Sequence, residues 1–366
     1  MRDVFITKIL INKLRHLSDL TILLSENERK HLIITGRNGS GKTSVLDALR
    51  ECIRNLRTPG KTVNQKEISL YFNTNGGSEL QHTPVLHIPS RRELDVYPPQ
   101  AIEIINLEEH FDIDTDASGD FVQYMVYLNY QKMVAKTENN KAETERIQRW
   151  FDRFLDVLRT IYDCPGLELK HLPKELNFKI IMPNREPFGL NEMADGYSAL
   201  LKIVMELMMR MESKASIAYD MPGIVLIDEI ETHLHIELQK KVLPFLTGMF
   251  PGIQFIVSTH SPFVISSVKD AVIYDLENQQ RLEDLSAYSY EGIVEYYFNL
   301  DMYSERIKNQ FERYKILAAK ENRTPEENDE LVENIVYLKQ IPPAAASEMI
   351  YSFRELERQR KTKAHG

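Results

Sequence analysis

The sequence is poor in cysteine, with only Cys52 and Cys164 among its 366 residues. Two cysteines do not make a disulfide framework or a zinc site, and we interpret both as packing residues of a reduced protein. The chain has no run of about 20 apolar residues, which excludes a conventional transmembrane helix. Its first residues also lack the charged and then apolar layout of a signal peptide. We therefore expect a cytoplasmic protein with no membrane partner.

Positive charge is also scarce, because 45 lysines and arginines stand against 54 aspartates and glutamates, for a formal net charge of −9. Proteins that coat nucleic acid are generally basic. Contact with DNA would therefore need a local patch, a closed dimer groove or a partner. The 43% hydrophobic and 27% charged content is ordinary for a globular protein. A chain of this length has room for two domains, or for one large domain with insertions.

Residues 36–43 carry the most informative pattern, Gly-Arg-Asn-Gly-Ser-Gly-Lys-Thr. It matches G-x-x-x-x-G-K-[ST], the phosphate-binding loop. An apolar run at 32–35 leads into the loop and a helix-like run at 44–49 leads out, which is the context that the motif requires. Glycines let backbone N–H groups converge on an anion, and the following helix presents its positive end. The sequence therefore predicts nucleotide binding.

Within this loop we assign Lys42 to the β- and γ-phosphates and the Thr43 hydroxyl to Mg²⁺. ATP and Mg²⁺ are the cofactors that this assignment implies. The other phosphate-binding candidates are the neighbouring loop residues and the next helical serine: Asn38, Gly39, Ser40, Gly41 and Ser44.

Two later strands end in polar residues that suit the same site. The apolar run at 224–227 ends in Asp228 and Glu229. We expect Asp228 to hold Mg²⁺ through its water shell, and Glu229 to polarise the water that attacks the γ-phosphate. A second apolar run at 255–257 is followed by Ser-Thr-His, and His260 would hydrogen-bond the γ-phosphate and report its presence. Near-continuous apolar runs of this kind are typical of parallel strands covered on both faces.

Taken in order, these motifs resemble an ABC-class ATPase of the SMC/RecF/OLD-like group over about residues 1–275. Residues 228–235, Asp-Glu-Ile-Glu-Thr-His-Leu-His, resemble its Walker B motif and D-loop, and residues 258–262 resemble its switch-histidine segment. The resemblance implies an α/β fold, the ABC-ATPase head, with an N-terminal β lobe and a P-loop parallel-sheet core. It also implies a homodimer, or a larger assembly, in which two copies enclose two ATP molecules.

The same group has a signature loop that a second subunit donates across the nucleotide. The candidate is residues 193–198, Met-Ala-Asp-Gly-Tyr-Ser, with Gly196 and Ser198 as its phosphate-binding residues. It resembles the group's Leu-Ser-Asp-Gly-Tyr form but has Ala194 where a serine is usual. The missing hydroxyl removes one hydrogen bond, on the order of 1 kcal/mol. That loss would slow hydrolysis or weaken ATP-driven dimerisation without abolishing either.

The Q-loop of the group has two candidates here, Gln81 and the segment Ser90-Arg91-Arg92. The roles of Arg91 and Arg92 stay open: they either meet phosphate or a partner, or they are exposed structural arginines.

Two further clusters invite a metal-binding interpretation. His233 and His235 have no third ligand in view, and we favour packing at the dimer interface for both. Residues 112–116 carry three alternate aspartates but lack the glycine and glutamate of a calcium loop. We interpret them as a solvated acidic turn.

The predicted domains are an ATPase head at 1–285, with a helical insertion at about 100–175, and a helical C-terminal extension at 286–366. Strands are predicted at 4–11, 20–24, 31–35 and 84–89, and helices at 121–134, 144–162, 198–211 and about 236–250. Residues 55–82 are predicted to be irregular. Thr324 and Pro325, with Glu327 three residues after the threonine, mark a helix start.

A compact head without a recognisable nuclease motif resembles the ATPase subunits of bacterial anti-phage defence systems such as Septu or PARIS. On this hypothesis the chain is a sensor or regulatory subunit, and its C-terminal helices dock a separate effector nuclease or toxin. One alternative is a RecF-like DNA repair ATPase that binds duplex DNA directly. Another is a nucleotide-gated scaffold that binds ATP but barely hydrolyses it.

Overall fold

The computed structural model describes residues 3–58, 67–73, 80–81, 83–105, 107, 111–213, 219–283, 285, 292–293, 305–341 and 347–364. The chain divides into two compact units, Met1–Tyr288 and Ser289–Gly366. Within the described residues, no helix is both long and apolar enough to cross a membrane.

The centre of the first unit is a six-stranded sheet with the order β12-β11-β3-β10-β9-β5. Its strands are β3 (His31–Thr35), β5 (Val85–Ile88), β9 (Gly223–Ile227), β10 (Ile253–Ser258), β11 (Ala271–Asp275) and β12 (Gln280–Glu283). The strands from β11 to β5 run parallel, and β12 pairs antiparallel with β11. The residues that follow the parallel strands therefore emerge at one edge of the sheet, where ligands of open α/β sheets bind.

Helices make this sheet a covered core. Every residue of β9 and β10 is buried, as their near-continuous apolar runs predict. The helix α1 (Lys42–Arg57) follows β3, and another helix, Ile236–Met249, connects β9 to β10 in a βαβ unit. The α/β fold expected from the resemblance is confirmed.

An antiparallel sheet with the order β2-β1-β4 forms the N-terminal β lobe. Its strands are β1 (Ile6–Leu14), β2 (Leu17–Leu23) and β4 (Ile68–Phe72). A two-residue turn at Arg15 and His16 joins β1 to β2, so the hairpin is longer than the predicted strands. The prediction that 55–82 is irregular is wrong at β4, which pairs with β1. Residues 59–66, 74–79 and 82 lie outside the described residues.

Gln254 joins the β lobe to the core. It is the second residue of β10 and is fully buried. Its Oε1 accepts from the Ile6 N–H at 2.7 Å, and its Nε2 donates to the carbonyls of Ile6 and Lys30 at 2.9 and 2.8 Å. Buried amides are tolerated when they are hydrogen-bonded, and this one ties β1 to the central sheet.

The insertion contains the two predicted helices, α2 (Phe121–Thr137) and α3 (Lys141–Tyr162). Trp150 of α3 packs against Phe121 and Phe154, with ring centroids 5.6 and 6.0 Å away. An antiparallel sheet follows, made of β6 (Glu168–Leu172), β7 (Asn177–Met182) and β8 (Arg185–Gly189). The segment to about residue 175 was predicted to be helical, so β6 corrects that prediction. Its half-exposed residues give little apolar signal.

The three aspartates of the turn at 112–116 are exposed, as predicted, but two of them also form close ion pairs. Asp114 accepts from Arg50 Nε at 2.7 Å and also contacts Arg54, and both arginines belong to α1. Asp116 accepts from Lys202 Nζ at 2.8 Å, and Lys202 belongs to α4 (Asp195–Ser213). The turn therefore connects the helix after the glycine loop to the helix that begins at the signature segment.

The second unit is helical where it is described, from 305–341 and 347–364. The helix Ile236–Met249 is α5 and Pro262–Ile265 is α6, so the helices here are α7 (Glu305–Ala319), α8 (Pro325–Gln340) and α9 (Ser347–Ala364). The predicted start of α8 is confirmed, because Thr324 Oγ1 accepts from the Glu327 N–H and Glu327 accepts in return from the Thr324 N–H. The part of the extension at 286–291 and 294–304 lies outside the described residues.

Candidate nucleotide-binding site

The loop between β3 and α1 has the backbone that the phosphate-binding pattern requires. Gly36, Gly39 and Gly41 have φ angles of 132°, 86° and 101°, a region that favours glycine. A Cβ atom at Gly36 would also lie 2.8 Å from Ser40 Oγ, so this position has no room for a side chain. Helix α1 begins directly after Gly41, and its first N–H groups have no partner within the helix. This arrangement suits an anion.

Lys42 lies against this loop. Its Nζ donates to the carbonyl oxygens of Gly36 at 2.8 Å and Arg37 at 3.0 Å, and the residue is 6% exposed. Burial lowers the pKa of Lys42, and the nearby carboxylates of Glu229 and Asp228 oppose that shift. An ammonium group held by two carbonyls can exchange them for phosphate oxygens.

Thr43 and Asp228 meet where β9 ends. Thr43 Oγ1 donates to Asp228 Oδ2 at 3.0 Å, and Ser258 Oγ donates to Asp228 Oδ1 at 2.5 Å. Ser258 is the last residue of β10, the strand beside β9. A hydroxyl and a carboxylate beside a phosphate-binding loop are hard oxygen ligands, which is the donor set that Mg²⁺ prefers. These residues therefore fit the predicted metal.

Glu229 has a constrained backbone. Its φ angle is 45°, which is uncommon for a residue with a side chain and often marks a functional site. Its N–H donates to Ser258 Oγ at 2.7 Å, and its carbonyl accepts from Arg92 Nη2 at 2.5 Å. Its carboxylate accepts from Thr232 Oγ1 at 3.3 Å. Hydrogen bonds to its N–H and to its carbonyl therefore fix the backbone from which the carboxylate projects.

His260 follows β10 at the same edge. Its backbone N–H donates to Glu231 Oε1 at 2.5 Å, and its Nε2 is buried without a hydrogen-bond partner among the described residues. Burial lowers the pKa of His260, and the positive charge of Lys42 adds to the shift. The imidazole is therefore neutral at neutral pH, and a neutral ring donates one hydrogen bond to a phosphate oxygen.

The predicted signature segment forms the start of α4. A Cβ atom at Gly196 would lie 2.8 Å from the His233 carbonyl oxygen, so this glycine is needed for a close approach. Ser198 Oγ donates to the Asp195 carbonyl at 2.9 Å, and Tyr197 stacks on Tyr162 with centroids 4.4 Å apart. These contacts are with its own helix, the D-loop and α3, and not with residues 36–44.

The remaining predicted residues of the loop lie between β3 and α1, as their motif requires. Asn38 and Gly39 are exposed, and Ser44 is buried in the first turn of α1. Ser40 Oγ is buried without a hydrogen-bond partner among the described residues, and its carbonyl oxygen lies 3.2 Å from His16 Nε2.

Three side chains at this edge were not assigned from the sequence. Ser258 orients Asp228, Glu231 holds the backbone of His260, and Arg92 holds the backbone of Glu229. The role of Ser258 could have been predicted from the sequence, because it ends the apolar strand that follows β9 in a βαβ unit. Arg91, in contrast, has a side chain that is 86% exposed and pairs with Glu93. Gln81 is partly exposed in a turn before β5.

His233 and His235 lie in the D-loop segment between β9 and α5. His233 has a φ angle of 67° and contacts Gly196, and His235 is the residue before the first turn of α5. Within the described residues, no group of three or more histidine, cysteine, aspartate or glutamate side chains is placed to hold a metal ion.

Comparisons with known proteins identify a family and several relatives of this chain. Residues 82–266, half of the chain, match the family model described as "AAA domain, putative AbiEii toxin, Type IV TA system". The chain is 24% identical to Septu protein PtuA of Bacillus mycoides (strain KBAB4), covering 89% of this chain and 49% of that protein. It is 29% identical to "Retron Ec83 probable ATPase" of Escherichia coli, covering 42% of this chain and 30% of that protein. The chain thus spans about half or less of the length of these relatives.

Among solved structures, the SMC head bound to the C-winged helix domain of ScpA matches with a TM-score of 0.42 and 13% identity. That match covers 77% of this chain and 99% of the SMC head chain. The matches to a Septu protein and a retron ATPase confirm the resemblance that was drawn from the motifs.

Proposed function

This chain belongs to the family of AAA domains that its residues 82–266 match, and from that membership we propose that it binds Mg²⁺-ATP and hydrolyses it. The observation that carries the proposal is the meeting of Lys42, Thr43, Asp228 and Glu229 at one edge of the parallel sheet. The Thr43–Asp228 hydrogen bond, at 3.0 Å between residues 185 positions apart, joins the glycine loop to the end of β9.

Each of these residues has a distinct role in the proposed reaction. The N–H groups of the glycine loop and Lys42 bind the phosphates, and Thr43 and Asp228 hold the metal. When bound, Mg²⁺ supplies positive charge that offsets the negative charge of the phosphates. Glu229 orients the attacking water and accepts its proton, and His260 donates to the γ-phosphate. Ser258 keeps Asp228 in position.

The assembly is the second part of the proposal. We infer that two copies enclose two ATP molecules, and that Gly196 and Ser198 of one copy complete the site of the other. The start of α4 supports this, because residues 194 and 195 are exposed and the N–H groups of Asp195 and Gly196 come before the first N–H groups that donate within the helix, those of Tyr197 and Ser198. Such a helix start binds a phosphate presented from outside the chain.

The biological role rests on the relatives. We propose that the chain is the sensor or regulatory subunit of an anti-phage defence complex with a separate effector nuclease or toxin. A relative named as a Septu protein supports this, as does a second one named as a retron ATPase. We place effector docking on the helical second unit, α7 to α9.

ATP binding and single-turnover hydrolysis by the purified chain test the catalytic proposal. We expect Lys42→Ala to lower the affinity for ATP by about 100-fold or more, since it removes a charged phosphate contact. Lys240→Ala, a surface lysine of α5, is the matched control. A wild-type protein that bound no adenine nucleotide would contradict the proposal. Tight ATP binding without turnover would favour the nucleotide-gated scaffold instead.

Co-purification tests the biological role. We expect an effector with nuclease or toxin activity to co-purify with the full chain from its native host, and a chain that ends at about residue 285 to lose it. Mass spectrometry of both preparations provides the measurement. An effector retained by the shortened chain would contradict docking on the second unit.

A further inference from the structure

Arg92 reaches the nucleotide edge by way of strand β5. Ile88, the last residue of β5, pairs with Ile227, and its carbonyl accepts from the Asp228 N–H at 2.9 Å. The chain therefore leaves the sheet directly beside the end of β9. Arg92 lies four residues further on, at the edge where the phosphate-binding residues meet.

The Arg92 guanidinium is buried and only partly hydrogen-bonded. The residue is 4% exposed, and its Nη2 donates to the Glu229 carbonyl at 2.5 Å. Its Nε and Nη1 are buried without a hydrogen-bond partner among the described residues. Leaving such donors unsatisfied is costly, and more so when the group is charged. The side chain therefore keeps Nε and Nη1 as donors for an acceptor that does not belong to the described residues, such as a ligand.

Other unpartnered polar atoms lie on segments that end at the same edge. They are Thr35 Oγ1 at the end of β3, Ser40 Oγ in the glycine loop, Glu231 Oε2 and His260 Nε2. Buried polar groups in native proteins are nearly all hydrogen-bonded, and exceptions often mark a ligand site. The phosphate oxygens of a triphosphate would accept from the hydroxyl and imidazole groups of this set. Water molecules bound with the metal would donate to the Glu231 carboxylate.

The charge of Arg92 is also suited to phosphate. Burial lowers its pKa to about 10, and the carboxylates of Glu231, Asp228 and Glu229 oppose the shift. The guanidinium therefore stays charged at neutral pH. Its Nη2 binds the backbone of Glu229, the residue proposed to orient the attacking water. Lys42 instead lies against the glycine loop.

We propose that Arg92 is a further catalytic residue, which donates from Nη1 to the γ-phosphate of the ATP held by its own chain. The inference rests on the proposed ATPase function and assigns a residue to it. In the reaction, water attacks the γ-phosphorus and gives its proton to the Glu229 carboxylate. The bond from the γ-phosphorus to the bridging oxygen breaks, and ADP leaves with that oxygen. Arg92 stabilises the charge on the γ-phosphoryl oxygens during the transfer.

Discrimination between ATP and ADP tests this role, because only ATP has the γ-phosphate. We expect Arg92→Ala to lower the affinity for a non-hydrolysable ATP analogue by about 10- to 100-fold and the affinity for ADP by less than about threefold. Single-turnover hydrolysis should fall by about 100-fold or more. Arg91→Ala is the matched control, since its side chain is 86% exposed, and it should change neither affinity.

The conservative variant separates catalysis from folding. Arg92→Lys keeps a positive charge near the three carboxylates but has no planar guanidinium that can bind the Glu229 carbonyl and phosphate together. We expect it to keep the wild-type melting temperature and ADP affinity and to lose at least about tenfold in hydrolysis rate. If Arg92→Ala does not fold, this variant decides the question.

Three results would overturn the inference. In the first, Arg92→Lys hydrolyses ATP at the wild-type rate. In the second, Arg92→Ala folds and loses ADP and ATP-analogue affinity equally, which would make Arg92 a structural residue. In the third, the wild type hydrolyses ATP and Arg92→Ala has the same affinities and hydrolysis rate as Arg91→Ala. That result would leave the proposed ATPase function intact. A wild-type protein that bound neither nucleotide would instead overturn the proposed function itself.

Discussion

Single buried side chains determine how the first unit responds to acid. His31 begins β3, where its Nδ1 accepts from the Phe255 N–H at 3.1 Å. Burial lowers its pKa from 6.5 to about 4, and the positive charge of Arg29 adds to the shift. Between these two pKa values the unfolded chain binds a proton that the folded chain does not. The stability therefore falls as the pH falls through this range.

His31→Gln should remove this acid sensitivity, because glutamine retains an acceptor and does not titrate. Between pH 7 and pH 5, we expect the free energy of unfolding of the wild type to fall by about 2 kcal/mol more than that of the variant. Urea unfolding followed by the fluorescence of Trp150, the single tryptophan of the chain, provides the measurement. Equal losses in both proteins would mean that His31 is protonated in the folded state.

Residues of the site differ in how visible they are in the sequence. Lys42 and Thr43 could be predicted because a short contiguous pattern determines the loop backbone. Asp228 and His260 could be predicted because each follows an apolar strand. For Arg92 the sequence left phosphate contact as one of several alternatives, because the choice depends on the pairing of β5 with β9 and on a contact with Glu229, 137 residues away. Spacing along the chain carries no trace of such a contact.

At the scale of elements, long segments with strong apolar periodicity were predicted correctly and short, half-exposed strands were missed. Helix α3 has a continuous buried face, and α2 is mostly buried over residues 121–128. The strands β4 and β6 each have at most one fully buried residue, so their alternation is weak. What makes them strands is their pairing with β1 and β7, which is tertiary information.

The turn at 112–116 provides a test at this scale. Asp114 contacts Arg50 and Arg54 of α1, and its side chain is 28% exposed. We expect Asp114→Asn to destabilise the first unit by about 1 kcal/mol, since it removes the carboxylate that Arg50 and Arg54 share and leaves them mainly Asp47 and Glu51 of their own helix as partners. Asp112→Asn is the control, because the Asp112 side chain is 60% exposed. Thermal unfolding of the two variants measures the difference, and equal melting temperatures would show that the turn contributes no stability.

At the scale of the whole molecule, the proposed dimer makes assembly depend on nucleotide state. Glu229 is the proposed acceptor of the water proton, whereas phosphate binding is assigned to the loop. A variant that binds ATP without hydrolysing it should therefore hold the assembly together.

Glu229→Gln should accumulate as an ATP-bound dimer, since the amide cannot accept a proton. We expect its turnover rate to fall by about 100-fold or more. Light scattering with Mg²⁺-ATP, with Mg²⁺-ADP and without nucleotide measures the mass. Glu229→Gln combined with Lys42→Ala is the control and should stay monomeric in all three conditions. Hydrolysis at the wild-type rate would show that the role of Glu229 is misassigned.

The place of β3 in the sheet has a consequence for where this chain can be cut. The family match begins at residue 82, yet β3 ends at Thr35 and lies between β11 and β10. A fragment that starts at the family boundary would have a gap in the middle of its sheet and would leave Gln254 without the carbonyl groups it binds. The start of the family match therefore does not mark the start of a folding unit. The smallest segment able to fold must include the first strands, β1 to β3.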